Sequence, residues 1–340
     1  MPPIQINYPR VDNHNQYDYA TKRVMDSIAH LLQTHSEACA VHIHNQTIHY
    51  SYNRNLNSNV ATHKNLLAQQ ALTNLIGNNA DADDLSLITY LCFNLDFYKT
   101  LRTSYGNNST FSNNLKNLCQ DLRHDIGIIR NDITSNNINN ILNHNFDHNG
   151  TNYGTQNLLQ KYNTILTTIR TDQINPNINY NDVDKSILLR PLQDIKKIHL
   201  ITTHANYNIL DNFQQLDLIN NPQGLHAEIN IYTNHHQQHN IQYIGVSKLS
   251  CGKCYEFFVR NGAPDIVRGV HGVIDNNWIE PIGWPYPPQQ VVIPNIVNIN
   301  APIPQQSDLS FDHGIEDNIQ TNIGIIGQND LGTVKGDMGF

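Results

Sequence analysis

Between Gly224 and Arg260 the chain reads GLHAEINIYTNHHQQHNIQYIGVSKLSCGKCYEFFVR, which sets one imidazole, one carboxylate and two thiols in an order with chemical meaning. Zinc binds neutral imidazole and thiolate, and three protein ligands with the fourth position open make a catalytic rather than a structural centre. His226, Cys251 and Cys254 would supply those three ligands. The two cysteines stand at i and i+3 at the start of an amphipathic helix, so both sulfurs can face one ion. The positive end of the helix dipole favours their thiolates. Glu228 is then left over. A carboxylate that stands beside an activated water without being a ligand is what proton shuttling requires.

Around these residues the pattern is H-x-E, a short helix, a β-rich run from Ile241 to Leu249, then C-x-x-C opening a second helix. It resembles the zinc deaminase signature H-x-E…P-C-x-x-C, and so the cytidine deaminase-like superfamily. The gap from His226 to Cys251 leaves room for the one helix and one strand that such a fold needs. Ser250 stands where that family usually has proline, a departure that touches the substrate-side loop and leaves the ligands intact. Further on, Val267-Arg268-Gly269-Val270-His271-Gly272, with Trp278, Pro281, Trp284 and Pro285, resembles the R-G-x-H-G…W…P tail of a divergent bacterial and fungal branch.

The resemblance implies a three-layer α/β/α sandwich, one Zn2+ and a nucleobase-containing substrate, whether nucleoside, nucleotide or single-stranded nucleic acid. It implies Glu228 as the catalytic acid and base, and Ser250, Arg268 and His271 as groups on the substrate side. A homo-oligomer is admitted too, since members of the family often complete their pockets across subunits.

Other readings of the same residues stay open. C-G-K-C between a strand and a helix also fits a thioredoxin-like redox pair, which needs no metal and gives His226 and Glu228 no task. A non-catalytic, zinc-stabilised interaction module would need a fourth ligand. His235, His236 and His239 are near in sequence, but the intervening helix points them away from Cys251, and they read as solvated loop residues. His271 could equally be a structural histidine.

The elements that must position this stretch begin early in the chain. Apolar residues at helical spacing (Tyr19, Val24, Ile28, Leu31, Leu32) predict a first helix within residues 17–37. Two β-rich runs, residues 40–44 and 47–52, flank Asn45-Gln46 and predict a hairpin. The hairpin ends in Tyr52-Asn53-Arg54, similar to the x-N-R strand ending of the tRNA adenosine deaminase branch, which implies Asn53 as a further substrate contact. A turn asparagine is the plainer alternative.

On this reading the deaminase domain is split. Residues 1–56 give its first helix and hairpin, 57–195 a helical insertion, 196–290 the zinc-binding core and 291–340 a low-complexity, weakly ordered tail. Within the insertion, residues 65–76, 85–101, 115–126 and 158–169 carry leucine, isoleucine or aromatics every three or four positions and predict a bundle. Alternatively, residues 195–203 form a first core strand and residues 1–190 an N-terminal helical domain. Residues 266–274 predict another strand, and the proline-rich run 279–288 can be neither helix nor central strand.

With 340 residues the chain can bury a sizeable core as one large domain or two ordinary ones. Its net charge of −8 creates no global positive field for duplex nucleic acid. Lys248, Lys253, Arg260 and Arg268 surround the zinc motif, but Glu256, Asp265 and Asp275 nearly cancel them. Cys39, Cys92 and Cys119 lie in apolar runs and read as reduced core thiols. No signal architecture or membrane-length run is present, so the expectation is no membrane and a cytoplasmic protein, with secretion as an effector lacking a cleavable signal peptide as the alternative. The function expected is a zinc-dependent hydrolytic deaminase of a cytosine- or adenine-type base, acting as an editing or toxin-like effector.

Overall fold

A computed structural model describes residues 19–33, 38–54, 59–77, 82–104, 112–133, 147–148, 151–152, 155–173, 182–203, 215–237, 240–270, 275 and 277–285. His239, His271, Tyr286 and the C-terminal tail lie outside the described residues. These residues divide into two compact units, one drawn from 1–78 and 194–302, the other from 79–193 and 303–340.

The first unit is built on a four-stranded sheet. Strands β1 (Cys39–His44) and β2 (Thr47–Tyr52) form the predicted hairpin, with His42 directly opposite His49. The two turn residues Asn45 and Gln46 have φ of 45° and 66°. Positive φ at both central positions gives a turn whose twist matches that of the strands. Strand β5 (Gln215–Leu218) pairs parallel with β2, and β6 (Gly245–Val246) pairs antiparallel with β1, giving the order β5-β2-β1-β6.

Alternation along the strands then decides what covers each face. Val41, Tyr50 and Tyr52 point to one side, where α1 (Tyr19–Leu32) and α2 (Asn59–Ile76) lie. Tyr52 donates its hydroxyl hydrogen to the Leu32 carbonyl at 2.6 Å, and the Tyr50 hydroxyl meets the Asn65 amide at 3.0 Å. Gly245 faces the same side, and a Cβ there would fall 2.4 Å from the Met25 carbonyl carbon, so only glycine lets α1 approach this closely. The opposite face carries Ala40, His42, His49 and Ser51 and is covered by α8 (Ala227–His235). Asn230 donates to the Ser51 hydroxyl at 2.9 Å across that layer. The result is the α/β/α layering expected from the sequence.

Beside α8 lies α9 (Gly252–Arg260). Its apolar stripe, Phe257 and Phe258, packs with Tyr232, Ile229, Ile244 and Val246 into one buried cluster under both helices. Burial of this size stabilises by roughly 1.5–3 kcal/mol for each large apolar side chain removed from water.

Some elements differ from expectation. Of the predicted strand 241–249, only Gly245–Val246 is regular. On one side Ile244 donates to the Ile266 carbonyl; on the other Ser247 still donates to the Cys39 carbonyl, but the Cys39 N–H turns to the Ser247 hydroxyl at 2.8 Å and the ladder ends there. After α9, Val270 forms an isolated parallel bridge with Ser250, outside the named strands. Residues 195–203 are helical, within α7 (Asp182–Thr203), which removes the alternative of a first core strand there.

In the second unit, α3 (Ala82–Phe93), α4 (Leu95–Ser104), α5 (Asn113–Ile133) and α6 (Thr155–Gln173) pack on one another. The predicted single helix 85–101 is two, because Asn94 interrupts it. Its side-chain oxygen accepts from the Phe97 N–H at 3.0 Å and so starts α4. Leu91, Leu122, Tyr162 and Ile165 are among the fully buried side chains. A two-residue hairpin, β3 (Asp147–His148) with β4 (Thr151–Asn152), completes the described elements of this unit. Cys39, Cys92 and Cys119 are buried and form no disulfide among the described residues.

Candidate metal centre

Two helix N-termini bring the predicted ligands together. His226 is the residue preceding α8, with extended backbone (φ −61°, ψ 145°), and Cys251 holds the same place before α9 (φ −74°, ψ 163°). The Cys251 sulfur accepts from the Cys254 backbone N–H at 3.5 Å, so one orphan donor of α9 is satisfied by the thiolate itself.

The loop that delivers His226 is fixed by Asn221. Its amide donates to the Tyr52 and Leu225 carbonyls, both at 2.7 Å, and its oxygen accepts from the Leu225 N–H at 2.9 Å. Pro222 and Gln223 make the turn, closed by the Gly224 N–H on the Asn221 carbonyl, and Gly224 has the positive φ (68°) that glycine adopts without strain. Asn53, at the end of β2, accepts from the Ala227 N–H at 2.9 Å and caps the first turn of α8.

The donor atoms of His226, Cys251 and Cys254 all lie within 4.8 Å of one another, and all three residues are buried. The two sulfurs are 3.5 Å apart, and the Cys254 sulfur is 3.2 Å from His226 Nδ1. Soft thiolates with one imidazole nitrogen suit zinc, so the donor set fits that ion and these three residues could hold it. The other imidazole nitrogen, Nε2, lies 3.3 Å from Asp275 Oδ2. Metal-bound histidines characteristically give their second nitrogen to such a carboxylate, which fixes the tautomer and ring plane.

Charges in the cluster are strongly coupled. A hydrogen bond from the Cys254 thiol outweighs burial and, with His226, holds the Cys251 thiol down at about 4. Burial, then the neighbouring Cys251, push Cys254 well above the usual thiol range. Burial alone would lower His226, but its hydrogen bond to Cys251 and the charges of Glu228, Cys251 and Asp275 raise it to about 9. Glu228 belongs to this group in space as well as in sequence. It is 5% exposed, and it is among the groups that push the Cys254 thiol up.

The residues read as substrate-side groups fall in different surroundings. Ser250 is 1% exposed, and its hydroxyl has no hydrogen-bond partner among the described residues. Arg268 extends to Asp26 of α1, at 3.8 Å. Asp26 also accepts from the Val246 N–H and the Tyr243 hydroxyl, so this carboxylate braces the β6 edge. Asn53 caps α8, as described, and His271 lies outside the described residues. Trp284 packs on Phe257, Tyr232 and His236 and donates to Asn261 at 2.9 Å.

Two placements were not legible. Asp275 entered the sequence reading only as a negative charge offsetting a basic patch, and its position shortly after the R-G-x-H-G run was the available clue. His235, expected in a solvated loop, is instead buried on α8 against the sheet, and His236 stacks on Tyr232 and lies tilted against Trp284. The helix runs to His235, so these residues take the helix's packing rather than a loop's exposure.

The α/β unit thus holds a buried His-Cys-Cys group that could hold a metal ion, with the buried Glu228 two residues from one of its members. Residues 225–282 match a family model described as OTT_1508-like deaminase, a span that takes in all the residues of the cluster. The match supports a deaminase-like domain. No curated protein and no solved structure matches the chain. Among the described residues, no helix is long and apolar enough to cross a membrane.

Proposed function

We propose that the chain is a zinc-dependent hydrolytic deaminase acting on a cytosine- or adenine-type base, in a nucleoside, a nucleotide or single-stranded nucleic acid. The observation that carries this reading is the buried Glu228 carboxylate beside three metal donors. A purely structural site has no use for that acid, and a redox pair has no use for it or for His226.

His226, Cys251 and Cys254 would hold the ion, which supplies Lewis-acid activation of water at neutral pH. Glu228 handles the protons: it takes one from the attacking water, delivers it to the ring nitrogen and then helps protonate the departing ammonia. Asp275 keeps the imidazole in the tautomer that leaves Nδ1 for the ion. Burial of His226, Glu228, Cys251 and Cys254 excludes bulk water and strengthens the interactions among them.

Ser250, Asn53, Arg268 and His271 are the proposed substrate-side residues. Ser250 has the strongest support, since its buried hydroxyl is unpartnered among the described residues and adjoins a ligand. The proposal includes a deaminase domain split between residues 1–56 and 196–290 by a helical insertion.

The test is zinc content together with ammonia release over a panel of cytidine, adenosine, guanine and single-stranded oligonucleotides. Release from one class of base, abolished by Glu228→Gln with zinc retained, is expected. Stoichiometric zinc with no release from any of them supports a non-catalytic module instead, and a Cys251–Cys254 disulfide with no metal supports the redox reading.

A further inference from the structure

The sheet face beneath the C-terminal end of α8 carries a second concentration of metal-binding side chains. His42 and His49 are direct cross-strand partners in the hairpin, and His44 follows His42 on the same face. His235, in the last turn of α8, lies over them. The ring centroids are 4.4 Å apart for His49 and His235, 6.2 Å for His42 and His235, and 6.3 Å for His42 and His49. His44 stacks on His42 at 6.2 Å. His42 and His235 are buried.

We propose that His42, His49 and His235 form a second binding site for a divalent transition metal of the zinc class, separate from the cysteine cluster. Three imidazoles on one tetrahedral ion, with Zn–N bonds of about 2.0–2.1 Å, put their ring centroids about 5 Å apart. The observed spacings of 4.4, 6.2 and 6.3 Å bracket that value. Among the described residues only the His226 group already has every donor atom within 4.8 Å of the others, so the three rings must rotate to close on an ion.

A second observation supports a metal. Asp217 Oδ2 lies 2.9 Å from His49 Nδ1. With Nδ1–H donating to the carboxylate, Nε2 is the nitrogen that carries the lone pair, the same orienting arrangement that Asp275 gives His226. Asp217 reaches this ring only because β5 pairs parallel with β2, with His49 opposite Asp217. His44 is the candidate fourth ligand.

The test uses the full chain, stripped with a chelator, reloaded with zinc, freed of excess metal and analysed for bound zinc. Wild type should hold two ions per chain, the double variant His49→Gln/His235→Gln one, and Cys251→Ala one. Cobalt(II) separates the sites: the double variant should keep the thiolate-to-cobalt charge-transfer band, which also reports an intact fold. Cys251→Ala should bind cobalt with that band weakened or lost. One ion per chain in wild type overturns the proposal, and so does a second ion that persists in the double variant. Should the double variant fail to fold, the single variant His49→Gln, read in the same way, takes its place.

Discussion

Helix α8 has a cluster of metal-binding side chains at each end, and the two differ in their carboxylates. At the N-terminal end, Asp275 lies against the outer nitrogen of the imidazole, while the buried Glu228 is near enough to help push up the Cys254 thiol. At the C-terminal end, Asp217 lies 2.9 Å from His49 Nδ1 and plays the orienting part. An orienting acid is enough to hold an ion, whereas hydrolysis needs a further group free to accept and return protons. On the proposed function, turnover belongs to the N-terminal end, where Glu228 stands, and the proposed part of the C-terminal end is to hold an ion.

The sharpest way to break that assignment is Glu228→Gln. Turnover should fall by about 10²–10⁴-fold, the usual worth of a positioned acid and base, while zinc content stays at the wild-type level. Retained turnover would strip the N-terminal end of its distinction. Next in size is the pair of orienting acids. Asp275→Asn should weaken zinc at the cysteine cluster by about 10–100-fold, read by competition with a chelating dye, and Asp217→Asn should act only on the histidine cluster.

Smaller effects test the scaffold that serves both ends. Gly245→Ala would drive a Cβ into the Met25 backbone, at 2.4 Å, and should cost roughly 1–3 kcal/mol in denaturant unfolding. Because it acts through α1 and the sheet, both clusters should loosen together. Asn53→Ala removes the acceptor for the Ala227 N–H and should cost about 0.5–2 kcal/mol, with its effect on metal affinity confined to the N-terminal end.

The same contrast explains what could be read from the sequence. The N-terminal cluster is written in local spacing: H-x-E at one helix start and C-x-x-C at another, each fixed by helical geometry. The hairpin was equally plain, since Asn45-Gln46 sits between two β-rich runs. The C-terminal cluster depends on β5, a four-residue strand whose parallel partner lies far away in sequence, so no local pattern announces Asp217 beside His49. Helix α7 was hidden by Pro191, which lacks the N–H of a helix interior and suggests a break where the chain continues helical. The interruption at Asn94 was missed for the opposite reason. The apolar period runs through it, and only the side-chain cap on Phe97 reveals two helices. Strand β6 is short because the Ile244 amide bonds to Ile266 at one end and the Cys39 amide bonds to the Ser247 side chain at the other, a choice made by tertiary packing.

The most direct measurement takes wild-type chain and Cys251→Ala from parallel preparations and follows bound zinc and released ammonia on the same samples, with the base found responsive in the panel. The account predicts that the substitution removes the thiolate-bound ion and the ammonia signal together. Ammonia released at the wild-type rate by Cys251→Ala, or none released from any base by fully zinc-loaded wild type, would contradict it.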